Sequence, residues 1–132
     1  MKKFKFTKEF GFRASAKMLY HYISTVQGLS EWFVDKVWVD PQKVFHFEWQ
    51  GEPLKAVMKT HKTNAFVKYE FFPKKDEEAS GLPNYVEFKL DTDELTGTTY
   101  LKITDYSEMD DEVELNELWD NFIATLKEKV GG

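Results

Sequence analysis

The sequence contains no cysteine, which excludes disulfides, thiolate metal sites, iron–sulfur clusters and a cysteine nucleophile. Long apolar runs are missing as well, and nothing approaches the roughly 18–20 consecutive apolar residues of a membrane helix. The start, MKKFKFTKEF, is basic but is not followed by an apolar segment, so no signal peptide is expected and a cytoplasmic location is. Basic charge is not in surplus: 18 Lys and Arg stand against 23 Asp and Glu, for a net charge of −5. The lysines are spread among acidic neighbours, leaving no basic face to displace counterions from nucleic acid, so no nucleic-acid partner is expected.

Catalytic signatures are equally scarce. There is no Ser nucleophile elbow, phosphate loop, dinucleotide glycine motif or HExxH, and no cofactor is expected. His21, His46 and His61 share no metal-ligand spacing, so solvated or locally bonded imidazoles are expected and no metal is. The stretch DTDELTG at 91–97 begins like a calcium loop, but Leu95 and Thr96 occupy the ligand and glycine positions. A hairpin turn is the better reading.

Aromatic residues are what the sequence has in abundance, at 17%: twelve Phe, six Tyr and four Trp. Aromatics build cores and also line apolar ligand cavities. At 132 residues, with no repeat or linker, the chain reads as a single domain over 1–132.

Hydrophobic periodicity divides the chain into three parts. Phe4, Phe6, Phe10 and Phe12 mark a first strand, with a bulge expected near Lys8-Glu9, where polar residues interrupt the alternation. Ser15 is placed to cap a helix whose apolar residues are Met18, Leu19, Tyr22, Ile23 and Val26, and Gly28 suits its stop. A second short helix is expected through Leu29 to Phe33. From Val37 to Tyr106 the period is two, as in antiparallel strands with one buried and one wet face: Phe45, Phe47 and Trp49, for example, alternate with His46 and Glu48. The period then returns to that of a helix. Leu115, Leu118, Trp119, Phe122, Ile123, Leu126 and Val130 form one stripe, with acidic residues at its start and Lys127 and Lys129 at its end, matching the helix dipole.

The order is strand, two short helices, about six antiparallel strands and a long amphipathic helix that must cover the apolar face of the sheet. It resembles the α+β helix-grip fold of the START-like (SRPBCC) superfamily. In that fold a curved antiparallel sheet of six to seven strands wraps a long C-terminal helix, with two short helices after the first strand. LYHYISTVQGLSEWF resembles the first helix pair of that family, and LNELWDNFIATLKEKV its closing helix. Within the superfamily, the domain named after activators of the heat-shock-protein-90 ATPase is the most similar branch.

The resemblance implies a cavity between sheet and closing helix, with the short helices at its mouth. Trp32, Phe33 and Trp38 are the candidates for the entrance, and Phe47, Trp49, Tyr69, Phe71, Trp119 and Phe122 for the deeper wall. Two readings of these residues stay open: a solidly packed core, or the lining of a site for a small apolar or amphipathic ligand. A second group, Phe66, Phe72, Tyr85 and Tyr100, has the parity of the wet face. Clustered, they would suit a protein partner, a chaperone or a second copy; scattered, they need no explanation. For acid–base chemistry of the cyclase type, Tyr69 has the parity of an inward hydroxyl and Asp35 could stand at the mouth, whereas Glu48, Glu70 and Glu87 fall on the polar side. The charged stretch PKKDEEASGLPN reads as a solvated loop. The leading expectation is therefore a non-enzymatic domain that binds a hydrophobic or amphipathic ligand. An interaction module and a polyketide-cyclase-like enzyme are the alternatives.

Overall fold

The computed structural model describes residues 3–73 and 82–132; most of the charged stretch PKKDEEASGLPN lies outside them. β1 (Phe4–Phe12) is followed by α1 (Ala16–Ser24) and α2 (Val26–Ser30). Six strands come next: β2 (Lys36–Val39), β3 (Phe45–Trp49), β4 (Glu52–Lys62), β5 (Phe66–Phe71), β6 (Tyr85–Thr92) and β7 (Thr99–Ser107). The chain closes with α3 (Glu112–Val130). All pairings are antiparallel, in the order β1-β7-β6-β5-β4-β3-β2, so β1 and β2 are the two edges of a seven-stranded curved sheet. This is the α+β helix-grip architecture.

The helices form where local chemistry favours them. Ser15 accepts from the Met18 N–H at 3.1 Å and caps α1. α1 ends earlier than the apolar spacing implies, because Thr25 takes an extended conformation, and its hydroxyl then caps α2 through the Gly28 N–H at 2.9 Å. Gly28 is thus not a stop signal. It lies inside α2, where a Cβ would fall 2.2 Å from the His21 carbonyl oxygen and 2.6 Å from the Tyr22 Cα, so a missing side chain lets the two helices touch. α3 carries the expected termini: the Asp111 carboxylate accepts from the Glu114 N–H, and Gly131 closes the helix at φ 84°.

β1 is regular rather than bulged, pairing residue by residue with β7 from Phe4 to Phe12. Lys8 shares the inward side with Phe6 and Phe10, and it avoids an unpaired charge by reaching α3, where its Nζ bonds Asn116 at 3.0 Å and Asp120 at 2.6 Å. The irregularity in the sheet falls instead in β4, between Met58 and Thr60. The core lies between the sheet and the helices. Leu115, Trp119, Ile123 and Leu126 of α3 pack with Leu19 and Ile23 of α1 and with the inward residues of the strands. Among the described residues no helix is long and apolar enough to cross a membrane.

Candidate functional site

The crowded stretch from Leu29 to Val39 splits in two. Leu29, Trp32, Phe33 and Val37 are buried, while Trp38 and Val39 are 53% and 44% exposed. Strand alternation decides Trp38: Val37 pairs with Phe47 on the inner side, so Trp38 pairs with His46 on the outer one. Its indole lies flat on the His46 ring, 3.8 Å between centroids and 4° from parallel. Trp38 is therefore not part of an inner wall, a correction to its placement at the entrance.

The other residues expected in the wall are brought together. Phe33 is the hub, stacked on Trp119 at 5.9 Å and 15°, edge-on to Phe47 at 5.6 Å, and against Phe122 at 5.2 Å. Trp32 packs on Phe33 and Phe122, Trp49 on Phe122, and Phe71 and Tyr69 on Phe47. Phe88, which was not among them, joins through Trp32, Phe33, Tyr69 and Trp119. Edge-to-face and offset geometry of this kind adds to what burial alone contributes.

The polar tips of Trp32, Tyr69 and Trp119 have partners within the protein. The Trp32 indole N–H donates to the Tyr22 carbonyl at 2.8 Å, and the buried Tyr69 hydroxyl to the Ile23 carbonyl at 2.6 Å. Burial, and secondarily the neighbouring Tyr20, push the Tyr69 phenol well above the ordinary tyrosine range. The Trp119 indole donates to Asp105 at 3.0 Å. Asp105 is the one carboxylate on the inner side of β7, in line with Leu101 and Ile103. Burial pushes its pKa up, against the lowering effect of the indole bond. Its parity with Leu101 and Ile103 is the signal that marks it in the sequence. Asp35 serves the backbone, accepting from the Gln50 N–H at 2.7 Å.

A groove of about 400 Å³ opens between β1 and the start of α3. Phe4, Phe6, Met109 and Leu115 supply its apolar wall, and Lys5, Thr7, Asp110 and Glu112 its rim. Phe6 and Leu115 also belong to the core, so the floor of the groove is the outer skin of the interior. Phe6 stands directly beside Asp105 in the β1–β7 register. None of the residues expected in the cavity lines this groove. It arises where the first strand meets a helix about a hundred residues later, a juxtaposition that no local pattern encodes.

The wet-face aromatics point outward as expected but sit in different rows. Phe66 is opposite Lys89. Tyr85 stacks on Tyr106 at 5.3 Å beneath the Lys68 ammonium, and the Tyr100 ring lies 3.5 Å from where a Cβ of Gly11 would be. Phe72, 44% exposed, follows the end of β5. Among the described residues these four rings make no contact with one another. Glu48, Glu70 and Glu87 lie on the same face, near Lys36, Lys68 and Lys89. His46 bonds Asp40 at 2.9 Å, while His21 and His61 are exposed.

Comparison with solved structures places the fold among known ones. The Aha1 dimer of Colwellia psychrerythraea superposes with a TM-score of 0.75 at 19% identity, covering 96% of each chain. The protein MLL2253 of Mesorhizobium loti gives 0.75 at 17% identity and 95% coverage of both. The protein BfR322 of Bacteroides fragilis is 34% identical over 98% of this chain and 92% of its own, with a TM-score of 0.62. Curated proteins give no match. The START-like superfamily domain matches residues 1–132, and the chain belongs to that superfamily.

Proposed function

We propose that this domain binds a small amphipathic ligand between the sheet and α3, without chemical conversion, and that the ligand enters through the groove between β1 and the start of α3. The observation that carries this reading is the groove itself, about 400 Å³, half open to solvent and lined by apolar and by polar or charged side chains alike. That volume falls within the ~300–1,000 Å³ usual for small-molecule sites. An apolar tail would lie on Phe4, Phe6, Met109 and Leu115, and a polar head would meet Lys5 or the carboxylates of Asp110 and Glu112. Each Å² of apolar surface removed from water would contribute roughly 25 cal/mol before ordering costs. A longer tail would displace Phe6 or Leu115 and meet the ring cluster of Trp32, Phe33, Phe47, Trp49, Tyr69, Phe71, Trp119 and Phe122.

The commitments of the inner polar groups favour binding over cyclase-type catalysis. The Tyr69 hydroxyl is occupied by a backbone carbonyl and holds its proton more tightly than usual, and Asp105 is tied to the Trp119 indole. A second reading, an interaction module for a chaperone or a second copy, rests on the exposure of Phe72 on the outer face, where Phe66, Tyr85 and Tyr100 stand in separate rows.

Laurate is a suitable first probe. Binding should raise the unfolding midpoint with a dose dependence that follows mass action, and Phe4→Ser should abolish the rise while leaving the ligand-free midpoint nearly unchanged. A rise that persists in Phe4→Ser would move the site elsewhere. No rise with laurate or with a panel of other amphiphiles would remove the ligand reading. Loss of a chaperone partner in the Phe72→Ser, Tyr100→Ser double variant would favour the second.

A further inference from the structure

Sheet edges are hazards that folds normally cover or blunt, and β2 is an edge with an unusual composition. It is four residues long, and two of them, Trp38 and Val39, are large, apolar and about half exposed. Val39 is on the inner side of the sheet by alternation, paired with the buried Phe45. Its exposure means that the described elements leave the end of this edge open. Trp38 is covered on one face by His46, and its own 53% exposure leaves the other bare.

The phase of the ladder determines which backbone groups face the open side. The Asp40 N–H bonds the Val44 carbonyl at 3.0 Å, and Trp38 is opposite His46. Antiparallel pairs alternate between bonded and non-bonded. Lys36 and Trp38 therefore spend their amides and carbonyls on β3, while Val37 and Val39 turn theirs outward. No described backbone segment bonds these outward groups.

We infer that this edge pairs with the same edge of a second copy, antiparallel and centred on Trp38. Only a register of this kind joins the outward groups of Val37 to those of Val39 on the other copy, and the reverse, so that all of them are satisfied at once. It also places Trp38 directly opposite Trp38 of the second copy on the outer face, extending the existing stack to His46, Trp38, Trp38 and His46. Lys36 falls opposite Asp40 of the second copy on the same face, an opposite-charge cross-strand pair at each end. The strand is self-complementary in backbone bonding, in ring stacking and in charge, as a two-fold interface requires. This surface is distinct from the β1–α3 groove and does not depend on a ligand there.

The absence of native cysteine makes the register directly testable. In a non-bonded antiparallel pair the Cα atoms stand about 4.5 Å apart, within disulfide range. Trp38→Cys, oxidised, should therefore run as a covalent dimer on a non-reducing gel, whereas Lys36→Cys, whose copies are separated by several residues along the strands, should stay monomeric. Sedimentation equilibrium of the unmodified protein into the hundreds of micromolar should show a monomer–dimer equilibrium. Val39→Pro removes an outward N–H along with an exposed side chain and leaves the ladder to β3 intact, so it should abolish the dimer with no loss of thermal stability at dilutions where the parent is monomeric. A protein that stays monomeric throughout would overturn the inference. So would a dimer that survives Val39→Pro, or cross-linking of Lys36→Cys in preference to Trp38→Cys. Capture of a strand from a different protein by a monomeric β2 edge would count against the second copy as its occupant.

Discussion

Trp119 and Trp38 lie on opposite sides of one sheet. Trp119 is 2% exposed, stacked on Phe33 and bonded through its indole N–H to an inward carboxylate. Trp38 is 53% exposed, flat against a histidine ring on the edge of the sheet. Both stack, so stacking does not distinguish the interior from the surface here. What distinguishes them is the network behind the ring. Trp119 is locked in by the rings of Phe33, Phe88 and Phe122, whereas Trp38 has a neighbour on one side and solvent on the other. The inner aromatics therefore hold the fold together, while Trp38 keeps one face open to solvent.

The two tryptophans differ most when each is removed. Trp119→Ala deletes the ring at the centre of the cluster and leaves a cavity, so denaturant unfolding should show a loss of about 3–5 kcal/mol. A loss below about 1 kcal/mol would mean that the cluster is not the core it resembles. Tyr69→Phe leaves the Ile23 carbonyl buried and unpaired, which should cost about 1–3 kcal/mol in the same assay with no change in fold.

Asp105, bonded to the Trp119 indole, makes the inner side of the sheet sensitive to pH. Its carboxyl is held above the ordinary range in the folded state by burial, so between the unfolded and folded values the native state binds more protons than the unfolded one. The sign follows: stability falls as pH rises through that window, and below the unfolded value the ionisation penalty is absent. Asp105→Asn should remove this slope and be more stable than the parent at neutral pH, the gap closing in acid. At concentrations where the protein is monomeric, Trp38→Ala should have the smallest effect, within about 0.5 kcal/mol, because half of the ring then faces water. Equal losses for Trp38→Ala and Trp119→Ala would dissolve the distinction altogether.

Much of this was legible in the sequence because alternation and helical periodicity are local. The strands, the α3 stripe with its charged ends, and the inward set of Phe47, Tyr69 and Phe71 follow from counting alone. Trp38 was misplaced because three bulky residues in succession, Val37, Trp38 and Val39, hide the alternation, which only the pairing with β3 resolves. Lys8 looks like a break in the alternation because its partners, Asn116 and Asp120, lie on α3 and more than a hundred residues away. The groove was illegible for the same reason: its two walls come from opposite ends of the chain. Asp105 was visible in principle, since it shares parity with Leu101 and Ile103, but an acidic residue in a strand is ordinarily assigned to the wet face.

The proposed ligand site lies at the β1–α3 seam and not on the outer face. Titrating laurate into isotopically labelled protein and following backbone amide shifts by NMR tests it most directly. A site at the seam should give saturable shifts concentrated at Phe4–Thr7 and Met109–Leu115, with Trp38 and Phe72 unmoved. Saturable shifts centred on Trp38 or Phe72, or no saturable shifts anywhere, would contradict it.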